Sequence, residues 1–568
     1  MIPTFPDDLS LANYFLFDRI TEGRGERIAL RFGERTWTYA QVADRARSLA
    51  KFLVAAGVRS EQRVYVVLPD TPAFAWSIFG ILAAGGVLAM GNPLSPTEDL
   101  AYVCEYTRCT ALITTSEVAR RLAPQLDALP NLHTLLLSPD AATGDDPEAP
   151  SAVPTEVMRM GRQALSLDAA ITRGRELTAT LPPVRRDDPA IWLFTAGSTG
   201  RSKAAMHSHR DFAFNTEVYA KRTVGYREDD IAVSVPRLFF GYATGTNLWF
   251  PFAVGASVGL FSERPTAESV SAAIQRYRAT IVTNVPTMLG KLLDLDDERK
   301  ARGEPGLDLS TVRFHLSAGE ALPEPLLRRF QARFPSHVNP TGGVDVFDGI
   351  GSAEMFHIYC SNRPGDIRPG SLGRVVEGYE LRILPEEADA PGGAPLPAGE
   401  IGVLWVKGDS IAHGYFGDRD KSWQTFHGHW CRTGDLFTID DAGYLYFSGR
   451  ADDLFKVGGI FVAPREVEDC LLEHPAVSVV AVIPAQDQGL TKPKALIEVR
   501  PDARARLRSA ADRVALADEL KAYVQAKLSK HKYPRWVVFV DDLPKNDRGK
   551  VDKKALIERE QRGELPQD

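Results

Sequence analysis

"TAGSTGRSK" (195–203) follows directly on the apolar run "AIWLFT" (190–195). The run reads as a buried strand, and the chain reads as helical again by about His209. A glycine- and hydroxyl-rich loop between a strand and a helix can aim backbone N–H groups at an anion, with the helix dipole assisting. Ser198 and Thr199 add hydroxyl donors, and Lys203 adds a positive charge for outer phosphates. A flexible turn is the alternative on composition alone. The spacing is not that of a Walker A loop, which needs Gly-Lys-Ser/Thr, because here Ser202 precedes Lys203 and Ala204 follows it. Kinase-like and switch-GTPase readings thereby lose their main support.

Outward from this loop, short β-rich runs alternate with helical stretches. "RVYVVLP" (63–69) precedes an apolar helix, and "TALITT" (110–115) precedes a charged amphipathic segment. Such alternation indicates an α/β fold of parallel sheets covered by helices. Residues 139–190 read as a loop and a surface helix. "PEEADAPGGAPLPAGE" (385–400) reads as a hairpin-type connection, with "IGVLWVKG" and "GYLYFSGR" after it as strands of a β-rich subdomain. From Ala451 the character changes. "PREVEDCLLEHPAVSVVAVIP" is helix then strand, and the C-terminal stretch is rich in lysine. A boundary at Gly449–Asp452 is expected, giving a large domain over 1–449 and a small, mobile α+β domain over 450–568.

At 568 residues the chain exceeds a single core. Its net charge of −7 argues against wholesale nucleic-acid binding. Five scattered cysteines and an N-terminus without a basic, then apolar, leader point to a reducing, cytoplasmic compartment. Pro72–Met90 is about long enough to cross a bilayer at roughly 1.5 Å per residue. Its Gly85-Gly86 break instead reads as a buried helix followed by a short strand, so no membrane partner is expected.

Three further motifs follow in order: "GIGSAEM" (349–355), "RTGD" (432–435) with "YLYFSGRADDLFKVGG" (444–459), and "LPKNDRGKVDKKAL" (543–556). With the 195–203 loop they resemble the signatures of the acyl-adenylate-forming superfamily of AMP-binding acyl- and aryl-CoA synthetases. The resemblance implies that Thr195, Ser198, Thr199, Gly200 and Lys203 hold the outer phosphates of ATP, and that Glu354 is a carboxylate linked to Mg2+. It implies an adenine site walled by Ser317, Gly319, Glu320, Ala321, Asp348 and Gly349, continuing through Ile350, Gly351 and Ser352. Asp435 and Arg450 would bond the ribose, and Lys550 would reach the α-phosphate and the acid. Asp452 matches the hinge residue, and Gly458 and Gly459 match the lining of the CoA path. Three positions depart from the family pattern: Ser202 for proline, Ala204 for glycine and Ala353 for threonine.

"RLFFGYATGTNLWFPFAVGAS" (237–257) sets large flat side chains beside small ones, which suits either a slot for a planar ring or an aromatic core. This stretch, "DGIGSAEMFHIYCSNRPGD" and "HKYPRWVVFVDDLPKNDRGK" resemble benzoate-type CoA ligases most closely. That resemblance implies Phe240, Gly241, Tyr242, Ile350 and His357 around an aromatic acid. No buried acid is evident to hold an amino-acid ammonium. CoA is the expected thiol, with the basic C-terminal stretch available to its phosphates, and a monomer or homodimer is expected. An acyl-carrier protein as acceptor, or a nucleotide-binding protein without catalysis, are the alternatives.

Overall fold

The computed structural model describes residues 2–158, 162–196, 201–320, 322–336, 338, 343–450, 455–457, 460–487, 490–545 and 551–566, with the backbone alone at 196, 450, 456, 460 and 461. The chain forms two compact units, residues 1–381 with 406–432, and residues 382–405 with 433–568. The boundary expected at Gly449–Asp452 falls inside the second of these units.

The large unit is built on two sheets with parallel centres, one antiparallel at a single edge and the other at both. In the seven-stranded sheet the order is Gln163–Ser166, Thr134–Ser138, Ala111–Thr115, Arg63–Val67, Val87–Met90, Pro189–Ala196, Ser202–Ser208. All neighbours run parallel except the last pair. Its four-residue edge strand, Gln163–Ser166, lies within the 139–190 stretch that reads as loop and helix. The nine-stranded sheet has a parallel centre in the order Asp345–Gly351, Phe314–Ser317, Ile281–Asn284, Ile231–Ser234, Ser257–Leu260, Ile28–Phe32. These strands are largely buried, their polar residues included, as expected of a parallel sheet covered on both faces.

Helix Pro72–Ala83 is buried on every side, which explains its membrane-like composition. It packs along helix Tyr39–Ala55, where a Cβ on Gly80 would stand 3.1 Å from the Ala46 carbonyl, so the glycine permits the close approach. Its Phe79 meets Trp249 at 5.2 Å and Phe252 at 5.3 Å. The glycine pair ends it and Val87–Met90 follows as a strand. Among the described residues no helix is long and apolar enough to cross a membrane.

The small unit holds a three-stranded sheet, Val477–Asp487 antiparallel to Leu490–Val499, which runs parallel to Trp536–Val540. Helices Pro464–Leu472 and Ala510–Lys527 close its apolar core over Val482, Ile497 and Leu520. Helix Lys553–Gln561 is held by two ion pairs to buried groups, Lys494–Glu560 at 2.6 Å and Lys553–Glu468 at 2.7 Å. All five cysteines are buried and reduced.

Candidate active site

The phosphate-loop motif sits at a turn between two antiparallel strands, Pro189–Ala196 and Ser202–Ser208. This corrects the strand-to-helix reading. The helix starts only at His209, after a capping box between Ser208 and Asp211, so its dipole cannot serve the loop. Thr195 and Lys203 face each other across the stem. Ser198, Thr199 and Gly200 lie outside the described residues. Ala204 is fully buried against Trp192 and Val87, so a methyl is accommodated where the family carries glycine.

Two neighbours stiffen the stem. Segment 412–416 extends the sheet beside Ser202–Ser208: His413 N–H donates to Met206 O (2.9 Å), Met206 N–H to Gly414 O (3.0 Å), and Phe416 N–H to Ala204 O (3.0 Å). Helix Thr97–Thr107 stacks Tyr102 on Tyr106 at 5.5 Å. The Tyr102 hydroxyl donates to Ser202 O (3.2 Å), and the Tyr106 hydroxyl accepts from Ala204 N–H (3.3 Å).

The second motif lies where the parallel strands end. Asn284, Ser317 and Asp348 stand in adjacent register at the carboxyl ends of three strands. Open α/β sheets bind ligands at this edge. Ser317 Oγ, Asn284 Oδ1 and Ser352 Oγ are buried there without a hydrogen-bond partner among the described residues. Buried polar atoms are rarely left unpaired, so this edge is suited to a polar ligand. Gly349 and Ile350 pair with Ser361 and Cys360, and Gly351 closes the pairing beside the His357 carbonyl, where a Cβ would stand at 2.4 Å. Gly319 has φ near +90° in the turn after Ser317. Glu320 is turned away to the first turn of helix Pro286–Ala301, accepting from Thr287 Oγ1 (2.8 Å). Ala321 is outside the described residues.

Glu354 stands in the short turn Ala353–Met355. Its Oε1 accepts from the Tyr415 hydroxyl at 2.6 Å, and its carbonyl accepts from Ala412 N–H at 2.8 Å. The Lys203 ammonium lies 3.7 Å from the centroid of the same Tyr415 ring. Burial, then the adjoining Glu354 charge, pushes the Tyr415 hydroxyl pKa far up, so it stays a donor. His207 Nε2–H donates to Ala353 O (2.7 Å), while Nδ1 is hydrogen-bonded to Asp211 (2.9 Å). The backbone reverses immediately afterwards. Phe356 has φ +68°, closed by His357 N–H to Met355 O at 2.9 Å, a conformation that non-glycine residues seldom adopt. Phe212 at 4.1 Å and His207 at 4.6 Å pack on its ring and hold it.

That reversal takes His357 to the aromatic segment. His357 Nε2–H donates to Tyr242 O (3.0 Å), and its ring lies 4.8 Å from Phe250 and 5.4 Å from Tyr242. Burial, partly offset by that bond, lowers its pKa to about 4, so the ring is neutral at pH 7. Phe240 caps the short helix Gly241–Thr244. A Cβ on Gly241 would meet Leu193 at 3.1 Å, and one on Gly245 would meet His357 Nε2 at 2.5 Å. The Tyr242 hydroxyl is sealed from solvent with no partner among the described residues. Leu238 N–H, at the head of this segment, donates to buried Asp70 at 3.0 Å.

In the small unit, Asp435 and Arg450 are directly paired across a hairpin. The Arg450 side chain, Asp452, Gly458, Gly459 and Lys550 are outside the described residues. The basic C-terminal stretch is largely neutralised: Lys521, Lys527, Lys532, Arg535, Lys545 and Lys553 each face a carboxylate. This weakens the expectation that it meets CoA phosphates by charge alone.

The AMP-binding enzyme model matches residues 17–416, and the AMP-binding enzyme C-terminal domain matches residues 466–550. The chain belongs to the AMP-binding enzyme family. Among relatives of this AMP-binding enzyme, a benzoate–CoA ligase of Thauera aromatica is 36% identical over 553 residues, covering 97% of this chain and 96% of the relative. A 4-hydroxybenzoate–CoA/benzoate–CoA ligase of Rhodopseudomonas palustris is 35% identical, covering 97% and 94%. The crystal structure of an anthranilate CoA ligase with anthranoyl-AMP superposes with a TM-score of 0.84 at 33% identity, covering 98% of each chain. That of a benzoate CoA ligase from Burkholderia xenovorans gives 0.79 at 32%, covering 96% and 99%.

Tyr415, the His207–Asp211 pair, Asn284 and the two stacked tyrosines escape a reading of the sequence motifs. Only the Ser208-x-x-Asp211 capping pattern is a local signal for any of them.

Proposed function

We propose that this AMP-binding enzyme condenses a small aromatic carboxylic acid with ATP to give acyl-AMP and pyrophosphate, then transfers the acyl group to CoA as a thioester. A carboxylate is a poor acylating agent because its leaving group would be an oxide; as the mixed anhydride it leaves AMP behind when a thiol attacks. The observation that carries the reading is the meeting of Lys203, cross-strand partner of Thr195, and Glu354 on the one side chain of Tyr415 within the large unit, together with the full-length relationship to aryl-CoA ligases.

Lys203, with Thr195, Ser198, Thr199 and Gly200, takes the outer phosphates. The carboxyl edge at Ser317 and Asp348 takes adenine. Glu354 fits magnesium, whose usual set is one or two carboxylates completed by phosphate oxygens and water. Magnesium would supply charge neutralisation on the phosphates. His357, Tyr242, Phe240, Gly241 and Ile350 flank the ring of the acid, with a neutral His357 placing no charge against it. Asp435 and Arg450 take the ribose, Lys550 stabilises the first transition state, and Gly458 and Gly459 line the thiol's path. Residues 450–568 swing about Asp452 between the two half-reactions.

Pyrophosphate release and thioester formation across benzoate, hydroxy- and aminobenzoates and fatty acids, with and without CoA, test the reading. Benzoate-like acids should lead, with turnover dependent on CoA. A preference for chains of about twelve carbons or more removes the aryl assignment. Aryl-AMP that forms but never turns over with CoA transfers the second step to another acceptor, such as an acyl-carrier protein.

A further inference from the structure

Adenylation asks a lysine and a glutamate to stand near one another and still serve different partners, phosphate and magnesium. Left in direct contact, opposite charges neutralise each other and neither is available. In this chain one side chain meets both. The Tyr415 ring face lies 3.7 Å from the Lys203 ammonium, a cation–π distance, while its hydroxyl donates to one oxygen of Glu354 at 2.6 Å.

Tyr415 is itself held from several sides. It is 5% exposed, and its backbone bridges Ala205 on the strand that carries Lys203. Its N–H donates to Ser422 Oγ at 2.9 Å, and Ser422 Oγ donates to Asp418 O at 2.6 Å. Phe426 packs on the ring at 5.1 Å. The neighbouring Ala412 N–H grips the Glu354 carbonyl. Segment 412–416 therefore ties the phosphate-loop stem to the turn that carries the carboxylate.

We propose that Tyr415 is a positioning residue for adenylation: its ring seats Lys203 and its hydroxyl orients Glu354, leaving the second carboxylate oxygen to magnesium. The proposal rests on the functional reading above, in the assignment of Lys203 to phosphate and Glu354 to the metal. Because the two contacts use different parts of one residue, they can be removed separately. Phenylalanine keeps the ring and loses the hydroxyl; leucine loses both.

Calorimetric titration of ATP, with Mg2+ and with EDTA, tests this on wild type, Tyr415→Phe, Tyr415→Leu, Glu354→Ala and the Tyr415→Phe/Glu354→Ala double variant. The quantity read is the magnesium enhancement, the ratio of the two affinities. Tyr415→Phe should reduce the enhancement roughly tenfold, the scale of one charge-assisted hydrogen bond, and leave affinity in EDTA within about twofold. Tyr415→Leu should lower affinity in both media, and Tyr415→Phe should cost nothing further once Glu354 is alanine. An unchanged enhancement in Tyr415→Phe overturns the proposal, as does an equal loss in the Glu354→Ala background. The phenylalanine variant preserves volume and the Phe426 contact, so these arms decide the hydroxyl's part even where the leucine variant does not fold; a folded Tyr415→Leu that binds ATP in EDTA as wild type does overturns the ring's part. A wild-type protein that binds ATP no better with magnesium overturns the functional reading, and the proposal with it.

Discussion

Ala353 carries a methyl where the adenylate-forming family carries a threonine hydroxyl. Its carbonyl is pinned by His207, its methyl packs with Ala205, Ala412 and Tyr415, and Ser352 Oγ beside it is buried without a partner among the described residues. A restored hydroxyl should speed single-turnover acyl-AMP formation by Ala353→Thr, by about ten- to hundredfold at most, the worth of one bond to a charged group. Less gain means that Ser352 already serves, and Ser352→Ala in the same background then exposes it. Single and double variants that both match wild type would place neither hydroxyl at the phosphate. Asp70 gives a second test, in pH. Burial, opposed by Arg237 and the Leu238 N–H, raises its pKa to about 6. The folded state therefore holds this proton more tightly than the unfolded chain does. Its contribution is fully present below about pH 4 and lost as pH rises through about 6, a change of about 3 kcal/mol. Asp70→Asn keeps an acceptor for Leu238 and should flatten that part of the melting-temperature profile between pH 4 and 6.5. Parallel profiles would assign the slope to other groups.

At the scale of elements, the aromatic segment is set by what its glycines leave open. A methyl on Gly245 would stand 2.5 Å from His357 Nε2 and 2.6 Å from Cδ2, so the ring must move. Overpacking of this kind costs about 1–3 kcal/mol, so Gly245→Ala should lower kcat/KM for the aromatic acid by roughly 5- to 150-fold. The KM for ATP should not move; if both change alike, Gly245 supports the fold and not the slot. The strands that build the two sheets were legible because runs such as Arg63–Val67 and Ala111–Thr115 are apolar and bounded by turns. Gln163–Ser166 was not, being four residues long and partly exposed at an edge. Ser202–Ser208, the second strand of the phosphate stem, mixes Ser, Lys and His with alanine and lacks an apolar signal. Without it the loop looked like the entry to a helix. The motif residues Thr195, Lys203 and Glu354 were visible as types in order. Tyr415 was not, because its role exists only where a segment some two hundred residues downstream pairs beside that strand. At the C-terminus, Lys527, Lys532 and Lys553 find carboxylates distant in sequence, Glu473, Glu466 and Glu468, so a count of charge along the chain does not show how much of it is paired.

For the whole molecule, the two half-reactions are proposed to draw on different poses of one chain. Lys550→Ala should slow adenylation by on the order of 10²–10³, the cost of one transition-state charge contact, while thioester formation from preformed acyl-AMP is largely spared. Asp452→Pro should do the reverse, stiffening the hinge and slowing the second step more. Rapid-quench measurement of each half-reaction separates them, and equal losses in both steps for Lys550→Ala would make that lysine structural. The small unit has its own core and its own latch, since Lys494–Glu560 and Lys553–Glu468 fasten the helix that follows the lysine motif. Every native thiol, meanwhile, is shut inside the fold. A maleimide dye therefore meets little competition from the wild-type chain, and one cysteine introduced at Val514, which is 60% exposed on helix Ala510–Lys527, becomes an addressable label. Its fluorescence depolarisation, followed as acid, ATP and CoA are added in turn, would put a clock on the small unit.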